Sequence, residues 1–212
     1  MSLQALWTSP ALALLSLLLV LNTERAHTAV PCRNGECVCL LPKSIRLSKF
    51  MKKEADDLLK TYMDSQGDFS ELFCQMPVNG VPDAEITGHG TLERLGNIYT
   101  KLGLFLKHIT VVTEEQQNLQ DPENPLFQLL ADAKAHIGNL ATNIKYILQA
   151  LYPNDTIPEA AEILPRAPSR NVFQQKIHGC VVLLRHRDFL SHVLQELKGL
   201  WVKGHACTSR AE

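Results

Sequence analysis

Charge of one sign is the first thing this chain lacks. Its 212 residues carry 21 Lys and Arg against 22 Asp and Glu, a formal net charge of −1. No global field is therefore available to hold a nucleic acid or an anionic membrane surface. Also missing are a Gly-rich phosphate loop, a nucleophile elbow and a histidine pair at the i, i+4 spacing of a helical zinc site. His178, His186 and His192 stand eight and six residues apart, a spacing that does not converge on one metal, and they are expected to be solvated. Asp56-Asp57 and Glu114-Glu115 are sequence neighbours on helices and so point in different directions. No enzyme, cofactor or metal centre is expected. Beyond the first thirty residues no apolar run is long enough to cross a bilayer, so the mature chain is not expected to insert in one.

What the chain does have begins with an apolar run from Ala11 to Leu21, followed by small residues at Ala26, Thr28 and Ala29. This reads as a secretory signal peptide over residues 1–29, cut within about residues 23 to 30, with an uncleaved anchor as the alternative. Residues 30–212 then form one extracellular domain. In an exported chain the six cysteines, Cys32, Cys37, Cys39, Cys74, Cys180 and Cys207, point to disulfides rather than to zinc or catalytic thiols. Asn154-Asp-Thr156 is a glycosylation sequon, and Pro153 places it on a loop.

Four amphipathic helices follow from the apolar periodicity. Helix A, capped by Ser44, carries Leu47, Met51, Ala55, Leu58 and Tyr62 and stops near Gln66-Gly67, with Lys49, Lys53, Asp56, Lys60 and Asp64 as its solvated side. Helix B, capped by Thr91, carries Leu92, Leu95, Tyr99, Leu102, Leu106, Ile109 and Val112 and ends near Leu119. Helix C spans about 126 to 151. Helix D, the longest, starts at Asn171, where Gln174 completes a capping box. Its stripe runs from Ile177 through Cys180, Val181, Leu184, Leu190, Val193, Leu194, Leu197, Leu200 and Trp201 to a stop at Gly204.

Loop lengths set the topology. About five residues join B to C, so these are antiparallel neighbours, whereas the A–B and C–D connections of roughly 18 to 24 residues are long enough to travel a helix length. The expected fold is an all-α, long-chain four-helix bundle running up-up-down-down. That arrangement puts Cys207 near Cys32, Cys37 and Cys39 at one end, and Cys74 near Cys180 toward the other.

Two positions stand out. Phe173 lies one step above the apolar stripe at the open end of helix D, with Lys176 beside it. The pair is either a core lid with a solvated lysine or an exposed aromatic and cation of the type that anchors interfaces. Gly138 lies inside helix C, where glycine costs about 1 kcal/mol relative to alanine, and marks close approach of a neighbouring helix or of a partner.

At Phe173-Gln-Gln-Lys176-Ile-His-Gly-Cys180 the chain resembles the leukaemia inhibitory factor and oncostatin M group of interleukin-6-type long-chain cytokines, and a fish member is expected. Looser matches are Tyr62 with Gln66-Gly67, Cys74, and Ile137-Gly-Asn-Leu140. The resemblance implies a secreted ligand, monomeric until it assembles receptor chains and brings together their Janus kinases to signal through STAT factors. It assigns Phe173 and Lys176 to a leukaemia inhibitory factor receptor type of chain, and exposed faces of A and C, near Gly138 and Thr142, to glycoprotein 130. It also pairs Cys74 with Cys180. The family joins its N-terminal cysteines to the end of helix C, where this chain has Lys145 and Leu148, which leaves Cys207 as the substitute. A secreted helical carrier of a hydrophobic small molecule is the rival reading, since four apolar stripes can also enclose a cavity.

Overall fold

In a computed structural model the chain is described over residues 40–157 and 170–202, all within the unit Cys32–Glu212. The signal segment, Cys32, Cys37, Cys39 and Cys207 lie outside the described residues. Five helices are present and, among the described residues, no strand: α1 Leu40–Gln66, α2 Ser70–Phe73, α3 Thr91–Gln117, α4 Leu126–Leu151 and α5 Val172–Val202. Helices A, B, C and D of the sequence reading are α1, α3, α4 and α5.

The ends of the helices show how local sequence sets them. Asn171 and Gln174 make the reciprocal capping box: Gln174 N–H donates to Asn171 Oδ1 at 2.9 Å and Asn171 N–H donates to Gln174 Oε1 at 3.1 Å. Gly67, at φ 85°, turns the chain out of α1 as only glycine does without strain. Two expected caps differ. Helix α1 starts at Leu40, ahead of Pro42, because a first-turn proline lacks only an N–H that has no helical partner there. Ser44 is therefore interior, and its hydroxyl donates back to Leu40 O at 2.7 Å. Thr91 is the first residue of α3 and not its cap; Glu93 reaches back instead to accept from His89 N–H at 2.8 Å.

Side-chain contacts fix the directions. Gln66 Nε2 donates to Gln116 Oε1 at 2.8 Å, which joins the far ends of α1 and α3. Tyr62, near the end of α1, meets the start of α5, while Arg94, at the start of α3, pairs with Glu196 near the end of α5. Helix α1 packs on α4 and α5, and so does α3; α1 and α3 lie diagonally opposite. This is the up-up-down-down bundle. Its core is filled largely by the predicted stripes, but on α3 the buried face runs through Leu95, Ile98, Leu102, Phe105, Ile109 and Val112. Ile98 and Phe105 thus stand where Tyr99 and Leu106 were expected, and Phe189 of α5 joins Tyr62 and Ile137 in the enclosed centre.

Helix α5 departs from a simple stripe. Residues 177 to 183 are buried without interruption, because α2 and the loop after it cover the side that two neighbouring helices leave open. His178 and His186 are thereby enclosed rather than solvated, and His192 Nδ1 stands 2.8 Å from Ala84 O. Trp201, expected in the core, is exposed at the end of the helix.

Candidate functional site

The head of α5 stands out because apolar surface is left in water there. Phe173 is 56% exposed, so it is not a lid on the core. Its ring meets the edge of Phe73 at 5.6 Å and 89°, a T-shaped contact that holds the aromatic upright without covering it. Phe73 belongs to α2, which sequence periodicity did not reveal because four residues are too few to show a period. The same short helix exposes Phe69 and Leu72. Phe69 caps α2 in the left-handed region, φ 64°, a conformation that costs a bulky residue of order 1–3 kcal/mol. The Cys74–Cys180 disulfide, with Cα atoms 4.8 Å apart, pins this element to α5.

Beneath the aromatic pair the backbone of α5 is held closely. Tyr62 OH donates to Lys176 O at 3.0 Å, and Lys176 Nζ donates to Gln66 O at 3.1 Å. Lys176 thus satisfies a carbonyl in the last turn of α1, where cations are favoured, and is half-buried rather than freely solvated. Burial, followed by the nearby Glu115 charge, holds the Tyr62 hydroxyl above its ordinary range. Gly179 explains the glycine of the motif: a Cβ there would run into the Tyr62 hydroxyl and ring. Gly179→Ala is expected to cost about 2–3 kcal/mol through overpacking, checked by urea unfolding with near-wild-type helicity.

A buried polar chain lies behind the same end. His178 Nδ1 is 2.8 Å from Glu115 Oε2, and Arg170 Nη1 donates to Glu115 Oε1 at 2.9 Å. His178 Nε2 is 3.3 Å from His108 Nδ1, and His108 Nε2 is 3.1 Å from Gly80 O. Burial, reinforced by His178, pushes His108 down to about 4, so it is neutral at pH 7. With its proton on Nε2, donated to the Gly80 carbonyl, its Nδ1 accepts from His178 Nε2–H.

A second exposed aromatic lies where α1 meets α4. Phe50 is 50% exposed and meets His136 edge-on at 5.3 Å, and His136 Nδ1 stands 2.8 Å from Glu54 Oε2. Burial raises the Glu54 carboxyl, partly offset by His136. Gly138 does not mark close helix packing, since a Cβ added there would meet nothing within 4 Å. Thr142 is exposed and donates to Gly138 O at 2.9 Å. At about 100° per residue, Gly138 and Thr142 lie roughly 160° and 120° around α4 from His136, so they are not brought together with Phe50 and Glu54. Asn139 and Asn143 lie within about 60° of His136. Asn154 occupies an exposed turn after α4.

A cleft of ≈ 460 Å³ lies between the start of α3 and the end of α5, walled by Gly88, His89, Thr91 and the Arg94–Glu196 pair, with Leu95 and Leu200 on its apolar side. No group of three or more potential metal ligands occurs among the described residues, and no described helix is long and apolar enough to cross a membrane.

The model of the LIF / OSM family matches residues 41–197, from the first turn of α1 to the last turns of α5. No curated protein matches the chain closely enough to add a relative to that assignment. The match covers all four long helices and the α2 segment with its disulfide, the elements that carry both exposed aromatic surfaces, and the chain accordingly belongs to the LIF / OSM family of helical cytokines.

Proposed function

We propose that the chain is a secreted cytokine that brings two receptor chains together by presenting two separate rigid surfaces. The head of α5, with Phe173 and Lys176, would take a leukaemia inhibitory factor receptor type of chain. Exposed faces of α1 and α4 would take glycoprotein 130, with Gly138 and Thr142 on the side of α4 turned away from Phe50 and Glu54. Joining the two chains would bring together their Janus kinases and so activate STAT factors. The segment 1–29 would be the export signal and Asn154 a glycan site, and the free ligand would be a monomer.

The observation that carries this reading is Phe173, a large aromatic left in water and braced by Phe73. An exposed, pre-positioned aromatic loses little freedom on binding, which is why such residues dominate interface energetics. Lys176, three residues on, adds a cation whose ammonium is held in place by Gln66 O. Phe173→Ala is expected to weaken the receptor type chain by about 2 kcal/mol, roughly thirtyfold, with circular dichroism and glycoprotein 130 binding unchanged. Equal affinity of variant and wild type, measured by surface plasmon resonance with purified ectodomains, would refute the assignment. The carrier reading draws less support: the ≈ 460 Å³ cleft sits at the end of the bundle and is walled largely by polar groups, not enclosed by the four stripes.

A further inference from the structure

The segment bearing Phe173 and Lys176 is gripped at both of its ends by a single carboxylate. Glu115, in the last turn of α3, uses Oε1 for Arg170, just before α5 begins, and Oε2 for His178, two turns into it. The exposed pair lies between those two grips. Glu115 is itself buried, and the groups facing it are Arg170 from just before α5, His178 from α5, Tyr62 from α1, and, through His178, His108 two turns earlier on α3. Such a carboxylate has no solvent to exchange with, so its two hydrogen bonds fix where the first turns of α5 stand.

We propose that Glu115 is a positioning residue for receptor docking: by bracketing α5 through Arg170 and His178, it holds Phe173 and Lys176 in the binding orientation without touching the receptor. This rests on the reading of Phe173 as a receptor anchor, and deepens it. Three features agree with it. The bracket encloses residues 172 to 176, the part of α5 before the continuously buried run, so these first turns have little side-chain burial of their own. The same carboxylate end of the relay is continued by His178 and His108 to the Gly80 carbonyl, which ties the loop following α2 into the same frame. And the ring that braces Phe173 comes from α2, which the Cys74–Cys180 disulfide fixes to the same helix.

The test uses the full mature chain and three substitutions. Glu115→Ala removes both grips; Arg170→Ala removes only the outer one and leaves the core untouched; Glu115→Gln keeps an acceptor for Arg170 and presents an amide N–H to His178 Nδ1, which accepts it with the ring proton on Nε2 alone. Hydrogen exchange, read without any receptor, is expected to quicken about tenfold at amides 172 to 177 in both alanine variants and not in α4, and to return toward wild type in Glu115→Gln. Affinity for the leukaemia inhibitory factor receptor type ectodomain is expected to fall about tenfold in the alanine variants and to recover in Glu115→Gln, with glycoprotein 130 binding constant. Wild-type exchange and affinity in Arg170→Ala and Glu115→Ala would overturn the proposal. Phe173→Ala, run in parallel, separates the two readings. If it weakens binding while the Glu115 and Arg170 variants do not, the bracket is wrong and the anchor stands; if it has no effect, the anchor is wrong, and the exchange data alone decide the bracket.

Discussion

Replacing Cys74 and Cys180 together by alanine is expected to lower the unfolding free energy by about 4–5 kcal/mol, one of the largest effects available in this chain. The two residues are 106 apart in sequence, and tying so long a loop removes configurational freedom from the unfolded chain worth about 4.7 kcal/mol in the chain-entropy account. The bridge also has a local task. Helix α2 is a single turn, too short to stand alone, and its attachment to α5 runs through Cys74. Without the bridge, Phe73 no longer braces Phe173, so the docking surface should soften along with the global loss. Urea unfolding of the double variant beside wild type measures the first effect. A stability change below about 1 kcal/mol would mean that the native packing holds this loop unaided.

Acid should unfold the protein earlier than carboxylate protonation alone would. His186 is enclosed against Phe105, and neither of its ring nitrogens has a hydrogen-bond partner among the described residues; burial pushes it down to about 4. His108 is pushed to about the same value. In the unfolded chain both take a proton near 6.5, whereas the folded bundle refuses it until about 4. Stability is therefore full above pH 6.5 and falls as the pH drops toward 4, by roughly 3 kcal/mol for each histidine. Asp83, held low by its hydrogen bond from Lys101, is largely exposed and gives way only below the ordinary carboxylate range, so it adds little in this window. His186→Leu is expected to abolish about half of the acid loss and to raise stability at pH 7, since it replaces an unpartnered buried ring by an apolar group. Urea midpoints at pH 7 and 4.5 for both proteins decide this. A wild-type midpoint that does not move between those values would contradict it.

Which parts of the molecule could be read from residues alone follows from range. The four long helices announce themselves through stripes many turns long, and the two long connections with one short one leave little choice of topology. The capping box at Asn171 and Gln174 follows from spacing of the same kind, and the topology puts Cys74 and Cys180 toward one end, where the family resemblance pairs them. The burial of His178 and His186 does not, because it depends on α2 and its loop folding over a third side of α5, which the period of α5 cannot report. Arg170 comes from just before α5 while Glu115 and His108 stand two turns apart on α3, and Glu115 reads as an ordinary exposed acid beside Glu114 until the bundle closes. Phe69, Leu72 and Phe73 did leave a trace: three large apolar residues crowded just before Cys74 in a segment otherwise broken by proline and glycine. Gly138 shows the opposite case, a residue with a clear helical cost whose cause, expected in packing, is absent from its surroundings.

The account stands on one ligand holding two receptor chains at once through surfaces that do not overlap. Sedimentation of the mature chain mixed with equimolar ectodomains of a leukaemia inhibitory factor receptor type chain and glycoprotein 130 tests this most directly. The expected result is a single species containing one copy of each of the three, formed by wild type and lost with Phe173→Ala, which should leave only the glycoprotein 130 pair. Two binary complexes that compete, with no ternary species at any ratio, would contradict it.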